Sequence, residues 1–441
     1  MARQSMLRQS VVFLVLAMSA NGLSYVYQLA MARLLDPKEY AVVLAIVSFI
    51  AILLFPGNAF QAAVAVGTGH IVQRATHLLA WPFALRAATF GGLAGLSLVA
   101  LFGIFSSGIR QIFGFEGNWV LAWLAVTFCL SLVLSAFRGA LQGAQRFSVL
   151  GWVMLAEAGL RVVLAVALVA FGFGVAGATA GFAFGYVVAT VLAIWLLLPN
   201  SPSKGEVRES LWATLREQLR SVPATLSIFG VQAIDVVIAN SRLPDTPMES
   251  FSAAALAGRV IFYAGFVLGL LLLPRFRHVF AGGVLQPGFV AKTASVLVAI
   301  TVIPVIAGFV IPGFVHNALV GANYAPDPGL LQRYLIGTAL LTTALFLTYL
   351  IIAAGWNWIA YGLLPIAVVQ VALYVFVAES TYDFALILIA SGAAMCAFLT
   401  IVAAALIRWR IRTQPTVQPE NGPLDPPVPV AIDELSTRDP I

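Results

Sequence analysis

The chain has 441 residues, of which 61% are hydrophobic and only 10% are charged, and its mean hydropathy is +0.98. This composition excludes an ordinary water-soluble protein and predicts a polytopic membrane protein. The formal net charge of +6 is no sign of nucleic-acid binding, because in a membrane protein the position of the basic residues matters more than their sum.

Apolar runs of about 20 residues, the length that crosses a bilayer, follow one another along the chain. They predict an all-α protein with twelve transmembrane helices and with both termini on one side of the membrane. The predicted spans are Val11–Met31, Tyr40–Val64, Leu78–Phe105, Trp119–Ala136, Val149–Phe171, Val175–Leu198, Ser221–Asn240, Phe251–Leu273, Phe289–Ile311, Leu330–Ala353, Trp358–Val377 and Phe384–Leu406.

The distribution of the 24 Lys and Arg residues predicts the orientation of these helices. Most of them fall in segments on the side of the N-terminus, including Arg138 in the glycine-interrupted stretch FRGALQGAQR, which is predicted to be a loop. This positive-inside bias predicts a multi-pass protein of the cell membrane with both termini in the cytoplasm. A cleaved signal peptide is the competing interpretation of the first run, but the apolar character continues as far as Met31.

The polar segment 200–220 divides the predicted helices six and six. We therefore predict an N-terminal lobe over residues 1–199, a cytoplasmic connector over 200–220 and a C-terminal lobe over 221–412. Residues 413–441, rich in proline and poor in large apolar side chains, are predicted to be a disordered cytoplasmic tail. The related stretches ARLLDPKEYAVVLAI and NSRLPDTPMESFSAAALAG indicate two equivalent halves, with a substrate path between them.

Lys292 and Arg333 lie within a turn of a helix end and are counted with the adjoining loops. Five further ionisable residues fall inside predicted spans, where each costs about 2.5–3.5 kcal/mol on insertion scales. They are Arg86, Glu157, Arg161, Asp235 and Arg259. Glu157 and Arg161 are four residues apart, so they share a helix face and can pair. Arg161 either serves only as that partner or also offers its planar fork of donors to phosphate oxygens in a cavity.

The remaining candidates are polar or charged residues on other predicted helices. Asp235 shares a helix face with Gln232 and either pairs with Arg259 or forms a proton or sodium site. Arg86 is close enough to the start of its helix to snorkel to the membrane surface. Asn21, Asn58 and Gln61 either line a cavity or bond between helices, and Gln232 is a further candidate to line the cavity.

The sequence lacks the common motifs of nucleotide-binding proteins and hydrolytic enzymes. It contains no P-loop, HExxH or GxSxG motif, its four histidines are scattered, and Cys129 and Cys396 lie in separate apolar runs. We therefore expect neither an enzyme nor a bound cofactor or metal.

Three stretches of the sequence resemble the polysaccharide-exporter and oligosaccharide-flippase family of the multidrug/oligosaccharidyl-lipid/polysaccharide (MOP) superfamily. They are ARLLDPKEYAVVLAIVSF, FRGALQGAQRFSVL, and IDVVIANSRLPDTPMESFSAAALAGRV together with LLLPRF. The chain departs from the family at Ala41, where glycine is usual, and at Ser250–Phe251, where Gly-Tyr is common.

The resemblance implies two pseudo-symmetric six-helix bundles, the MATE-like fold, that alternate between inward-open and outward-open states. It implies a flippase that carries an isoprenoid-diphosphate-linked oligosaccharide to the outer leaflet for cell-surface polysaccharide biosynthesis. Arg86, Arg161 and Arg259 would attract the diphosphate, while Asp235 and Glu157 would be structural or ion-coupling. The implied partners are the lipid-linked oligosaccharide, membrane lipids, and the polymerase and glycosyltransferases of the same pathway.

Two other functions remain open at this point. A cation-coupled multidrug antiporter of the same superfamily would need a carboxylate in the cavity, yet the interiors of the first four predicted helices hold neither Asp nor Glu. A membrane polymerase or ligase acting on lipid-linked sugars would need a sizeable outer loop for its acceptor, and the predicted outer loops are short.

Overall fold

The computed structural model describes residues 2–73, 80–115, 117–198, 210–219, 222–280, 287–321, 324–356 and 361–413. The predicted tail beyond residue 413 and most of the predicted connector lie outside these ranges. The described residues up to Ala403 form one unit, and residues 404–413 belong to a second. The helices are α1 Ala2–Leu34, α2 Pro37–Gln73, α3 Ala80–Ile104, α4 Ser106–Phe113, α5 Trp119–Gly143, α6 Phe147–Ala170, α7 Gly174–Leu197, α8 Leu211–Leu219, α9 Val222–Arg242, α10 Asp245–Phe280, α11 Pro287–Val310, α12 Pro312–Val320, α13 Pro328–Ala353, α14 Leu363–Phe376 and α15 Thr381–Thr413.

Each of the twelve predicted spans overlaps one of these helices, so the prediction of a polytopic all-α fold is confirmed. In the described part of the chain, ten helices are long and apolar enough to cross a membrane. Helices α9, with 21 residues, and α14, with 14, fall outside that set. The short helices α4, α8 and α12 were not predicted from the sequence.

The ends of several helices follow from local sequence. Helix α13 begins with Pro328, and the Asp327 carboxylate accepts a hydrogen bond of 3.0 Å from the backbone N–H of Leu330. Proline and an aspartate cap are favoured at a helix start because the first N–H groups have no partner inside the helix. Gly114 caps the C-terminal end of helix α4, and its φ of 68° lies in the left-handed region that glycine enters without strain.

The same packing pattern occurs in the first half of the chain, α1–α7, and in the second half, α9–α15. Helix α2 packs against α5 as α10 packs against α13, and α1 packs against α6 as α9 packs against α14. The third long helix of each half also contacts the fourth, and a short helix, α4 or α12, follows the third. The fold therefore consists of two pseudo-symmetric six-helix bundles, as predicted.

Glycines set the close approach of α5 to α2. A Cβ atom on Gly139 would lie 2.5 Å from the carbonyl oxygen of Gln61, and one on Gly143 would lie 2.3 Å from that of Ala65. Small residues four apart are a common way for membrane helices to meet at short range. The prediction that FRGALQG is a loop was therefore wrong: these glycines form an interhelical contact, and α5 continues to Gly143.

The two halves meet mainly through helices α1, α2, α9 and α10. Helix α2 packs against α9 and α10, and α1 contacts α10 and the short helix α12. Both α2 and α10 are long, with 37 and 36 residues. Because these helices come from different halves, polar side chains on their facing sides lie where a path between the halves would run.

Candidate functional site

A small cavity of about 30 Å³ lies between the two halves. Helix α2 contributes residues from the first half, and α9 and α10 contribute residues from the second. On each helix the lining residues are three or four apart or adjacent, so each helix presents one face to the cavity. The lining residues are Val47, Ser48, Ala51, Phe229, Gln232, Ala233, Arg259, Phe262 and Tyr263.

Arg259 is the basic group of this cavity, and it joins the two halves. Its side chain is buried, with 3% exposed. It donates a hydrogen bond of 2.7 Å to Oε1 of Gln28 on α1 and a second one to the Ser48 hydroxyl on α2. The Ser48 hydroxyl in turn donates to the carbonyl oxygen of Leu44 at 2.6 Å. Arg259 thus reaches neutral acceptors of the other half.

Of the two interpretations given for Asp235, the ion pair with Arg259 is not the one that the structure shows, because its carboxylate has other partners. The Asp235 side chain is fully buried on α9 and accepts hydrogen bonds from the Tyr334 hydroxyl on α13 and from the backbone N–H of Val236 at 2.7 Å. Each carboxylate oxygen therefore has a donor from the second half. This arrangement fixes α9 against α13 and places the carboxylate outside the set of residues that line the cavity.

A second charged cluster lies inside the first half. Glu157 and Arg161 of α6 form the predicted ion pair, which confirms that they share a face. Arg138 of α5 also forms an ion pair with Glu157, through the other carboxylate oxygen. One buried carboxylate is therefore shared by two arginines, and the formal charge of this cluster is positive.

The surroundings of Arg161 explain its orientation. Its guanidinium lies 4.3 Å from the centre of the Phe182 ring on α7, and Nη1 lies 3.4 Å from the Ser24 hydroxyl on α1. Gly185 of α7 allows this packing, because a Cβ atom there would lie 2.9 Å from the Glu157 carbonyl oxygen. The Nε atoms of Arg161 and Arg138 are buried without a hydrogen-bond partner.

The other predicted site residues lie apart from these two clusters. Arg86 is exposed on α3, and Asn21 and Asn58 are exposed on α1 and α2. Gln61 is partly buried and donates a hydrogen bond of 3.1 Å to the side chain of Gln142, so it joins α2 to α5 within one half. Of the three predicted diphosphate-binding arginines, Arg86 is exposed, whereas Arg161 and Arg259 are buried and donate to Ser24 and Gln28, which lie one turn apart on α1.

One end of the bundle is closed by a reciprocal set of contacts, which we call the clasp. Near the end of α1, Arg33 donates to the carbonyl oxygen of Ala318 in α12 at 2.6 Å. Near the end of α9, Asn240 donates at 3.1 Å to the carbonyl oxygens of Ile112 and Phe113 in α4. The first long helix of each half thus holds the short helix of the other half.

Two further contacts belong to the clasp. The Tyr324 hydroxyl donates to the carbonyl oxygen of Ala32 at 3.0 Å, and burial raises the pKa of Tyr324 above its ordinary value. Lys38 and Asp245, at the starts of α2 and α10, form an exposed ion pair of 2.8 Å. Among the described residues, hydrogen bonds between the two halves thus occur in the clasp and at Arg259.

Solved structures with a similar fold are MATE transporters. The outward-facing conformation of a multidrug resistance MATE family transporter of the MOP superfamily matches with a TM-score of 0.58 and 15% identity, over 92% of this chain and 95% of that one. An inward-facing conformation matches with a TM-score of 0.55 and 15% identity, over 91% and 98%. A MATE transporter of Vibrio cholerae matches with a TM-score of 0.57 and 14% identity, over 91% and 97%.

These likenesses show the fold alone, which this chain shares with the MATE transporters named above. No protein-family model and no curated protein sequence matches the chain. The resemblance to the flippase family within the MOP superfamily therefore stays a prediction.

Proposed function

We propose that this chain is a membrane transporter that carries an isoprenoid-diphosphate-linked oligosaccharide across the bilayer by alternating access. The observation that carries the proposal is Arg259, a buried arginine that lines a cavity between the two halves and is hydrogen-bonded to neutral side chains. A guanidinium in a poorly hydrated site binds phosphate oxygens strongly because its donors form a planar fork.

The charges of the interior support an anionic cargo. The residues that line the cavity include one arginine and no carboxylate. In the first half, the Glu157 carboxylate is already shared by Arg138 and Arg161. In the second half, the Asp235 carboxylate already accepts hydrogen bonds from the Tyr334 hydroxyl and from a backbone N–H. Cations need an available carboxylate, whereas anions need the arginine that this cavity offers.

A cation-coupled multidrug antiporter is the second candidate. Two of the similar solved structures are of a multidrug resistance transporter, and this likeness in fold is compatible with the same function here. Fold likeness does not determine the cargo, because unrelated functions share one fold and differ in their sites. The charge of the cavity is the reason we rank the antiporter second.

The first test measures isoprenoid-diphosphate-linked glycans by mass spectrometry in cells that lack the protein, with and without a reagent that modifies only outward-facing sugars. We expect a complete lipid-linked unit to accumulate in a form protected from the reagent. A normal lipid pool would favour the antiporter. A reagent-accessible unit that is neither polymerised nor transferred would favour a membrane polymerase or ligase.

Variants of Arg259 connect this cellular result to the cavity. Arg259→Gln removes the charge and should reproduce the accumulation, whereas Arg259→Lys keeps the charge without the planar fork and should restore only part of the transport. Arg333→Gln on α13 is the matched control, since Arg333 packs over the Tyr382 ring at 4.7 Å and does not line the cavity. Full transport by Arg259→Gln at normal protein level would contradict the proposal.

A further inference from the structure

The Gln232 carboxamide is buried in the cavity wall without a hydrogen-bond partner. Only 4% of the residue is exposed, and neither Oε1 nor Nε2 is hydrogen-bonded. Leaving a buried polar group unsatisfied costs about 1–3 kcal/mol, so native proteins keep few such groups. The amide lies on the face of α9 that lines the cavity together with Arg259. Its free donor and acceptor therefore point to a group that enters this space.

The walls around Gln232 are aromatic. Phe229 lies one helical turn before it on α9 and meets Phe262 of α10 with ring centres 5.1 Å apart at 83°. Phe262 in turn lies 6.0 Å from Tyr263. Aromatic faces carry partial negative charge and attract the weakly positive C–H groups of a ligand. Apolar walls with a few placed polar groups are typical of small-molecule pockets. The space itself measures about 30 Å³, so a ligand larger than a few water molecules would enter it when the two halves separate.

This combination suits the part of the cargo next to its phosphate. A sugar ring presents C–H groups on its faces and donor–acceptor pairs at its edge, such as neighbouring hydroxyls or an acetamido group. A carboxamide offers one acceptor oxygen and two N–H donors, so it can bond to either kind of pair. A water molecule would satisfy the same atoms, but it would make no use of the aromatic walls.

We propose that Gln232 is a specificity-determining residue, which binds the first sugar of the cargo while Arg259 holds the adjacent phosphate. This inference rests on the function proposed above, and it names the part of the cargo that the cavity recognises. Recognition of the sugar should therefore strengthen binding by about tenfold over the same lipid without it.

The test compares three ligands on the purified full-length protein in lipid nanodiscs: polyprenyl diphosphate, polyprenyl-diphospho-glucose and polyprenyl-diphospho-N-acetylglucosamine. Dissociation constants are measured for wild type and for Gln232→Leu, in which an apolar side chain replaces the unsatisfied amide. Wild type should prefer at least one sugar-bearing lipid over the sugar-free one by about tenfold. Gln232→Leu should lose that preference, and the preferred ligand identifies hydroxyls or an acetamido group as the partner.

Gln370→Leu is the matched control, because Gln370 is also a buried glutamine, with 1% exposed and with Oε1 unpaired, but it lies on α14 away from the cavity. It should keep the wild-type preference. Equal wild-type affinity for the three lipids, or a preference that survives in Gln232→Leu, would overturn the role of Gln232 and leave the proposed function standing. Failure of wild type to bind any of the three lipids would overturn both.

Discussion

Glu157 stabilises two buried arginines from different helices, Arg138 and Arg161. Removing one partner from a buried ion pair leaves an uncompensated charge and costs about 3–5 kcal/mol. We therefore expect Glu157→Gln to lower the thermal unfolding temperature of the purified protein strongly, with a matching fall in its abundance in membranes.

The double variant Glu157→Gln with Arg138→Gln is the control for this prediction. It removes one of the two positive charges that Glu157→Gln leaves unpaired, so it should be more stable than Glu157→Gln alone. A Glu157→Gln protein as stable as wild type would show that water or lipid already satisfies the arginines.

At this same scale, the sequence determined some of the site and could not determine the rest. The four-residue spacing of Glu157 and Arg161 is a local property of one helix, and it predicted their ion pair correctly. Partners far apart in sequence depend on how helices pack. Gln28 lies 231 positions from Arg259, and Tyr334 lies 99 positions from Asp235. No local pattern connects such residues.

At the scale of helices, the contact of α5 with α2 depends on glycine. A Cβ atom at Gly143 would lie 2.3 Å from the Ala65 carbonyl oxygen and 2.6 Å from Cβ of Thr68. Backbone atoms cannot move aside as a flexible side chain can, and overpacking costs about 1–3 kcal/mol. We expect Gly143→Ala to lower the unfolding temperature of the purified protein.

Gly103→Ala provides the comparison, because a Cβ atom on Gly103 of α3 would meet nothing within 4 Å. Alanine is favoured over glycine inside a helix by about 0.5–1 kcal/mol, so this variant should be neutral or slightly stabilised. Equal effects of the two substitutions would contradict the close approach of α5 to α2.

The helices were the most predictable level of the structure, since about 20 apolar residues in a row have few alternatives to a spanning helix. The errors lie where a residue type has two uses. Gly139 and Gly143 were interpreted as helix breakers, and this placed Arg138 in a loop instead of beside Glu157. Helices α4 and α12, with 8 and 9 residues, are too short for the periodic pattern that identifies a helix.

At the scale of the whole molecule, the clasp should control access to the cavity from its own end. Arg33 and Asn240 hold backbone carbonyl oxygens of the opposite half, so removing both side chains should loosen that end. We expect Arg33→Ala combined with Asn240→Ala to increase the rate at which a membrane-impermeant maleimide, added from that side, labels Ala51→Cys in the cavity wall. Cys129 and Cys396 are replaced by serine in every protein compared.

Arg110→Ala in the same background is the control, because Arg110 bonds to Ser106 and Asn118 within its own half. It should label at the rate of the parent protein. Unchanged labelling of Ala51→Cys in the Arg33 and Asn240 double variant would show that other contacts close this end.

The hydrogen bonds of Arg259 give the proposed transporter a way to limit conformational change in the absence of cargo. The N–H groups that an anionic cargo needs are the ones that now bond to Gln28 and Ser48 of the other half. Cargo and the opposite half therefore compete for the same donors, and by thermodynamic linkage each weakens the hold of the other by an equal free energy. If the proposed function holds, an empty protein keeps these hydrogen bonds between the halves and a loaded one exchanges them for bonds to the cargo, which would tie separation of the halves to occupancy of the cavity.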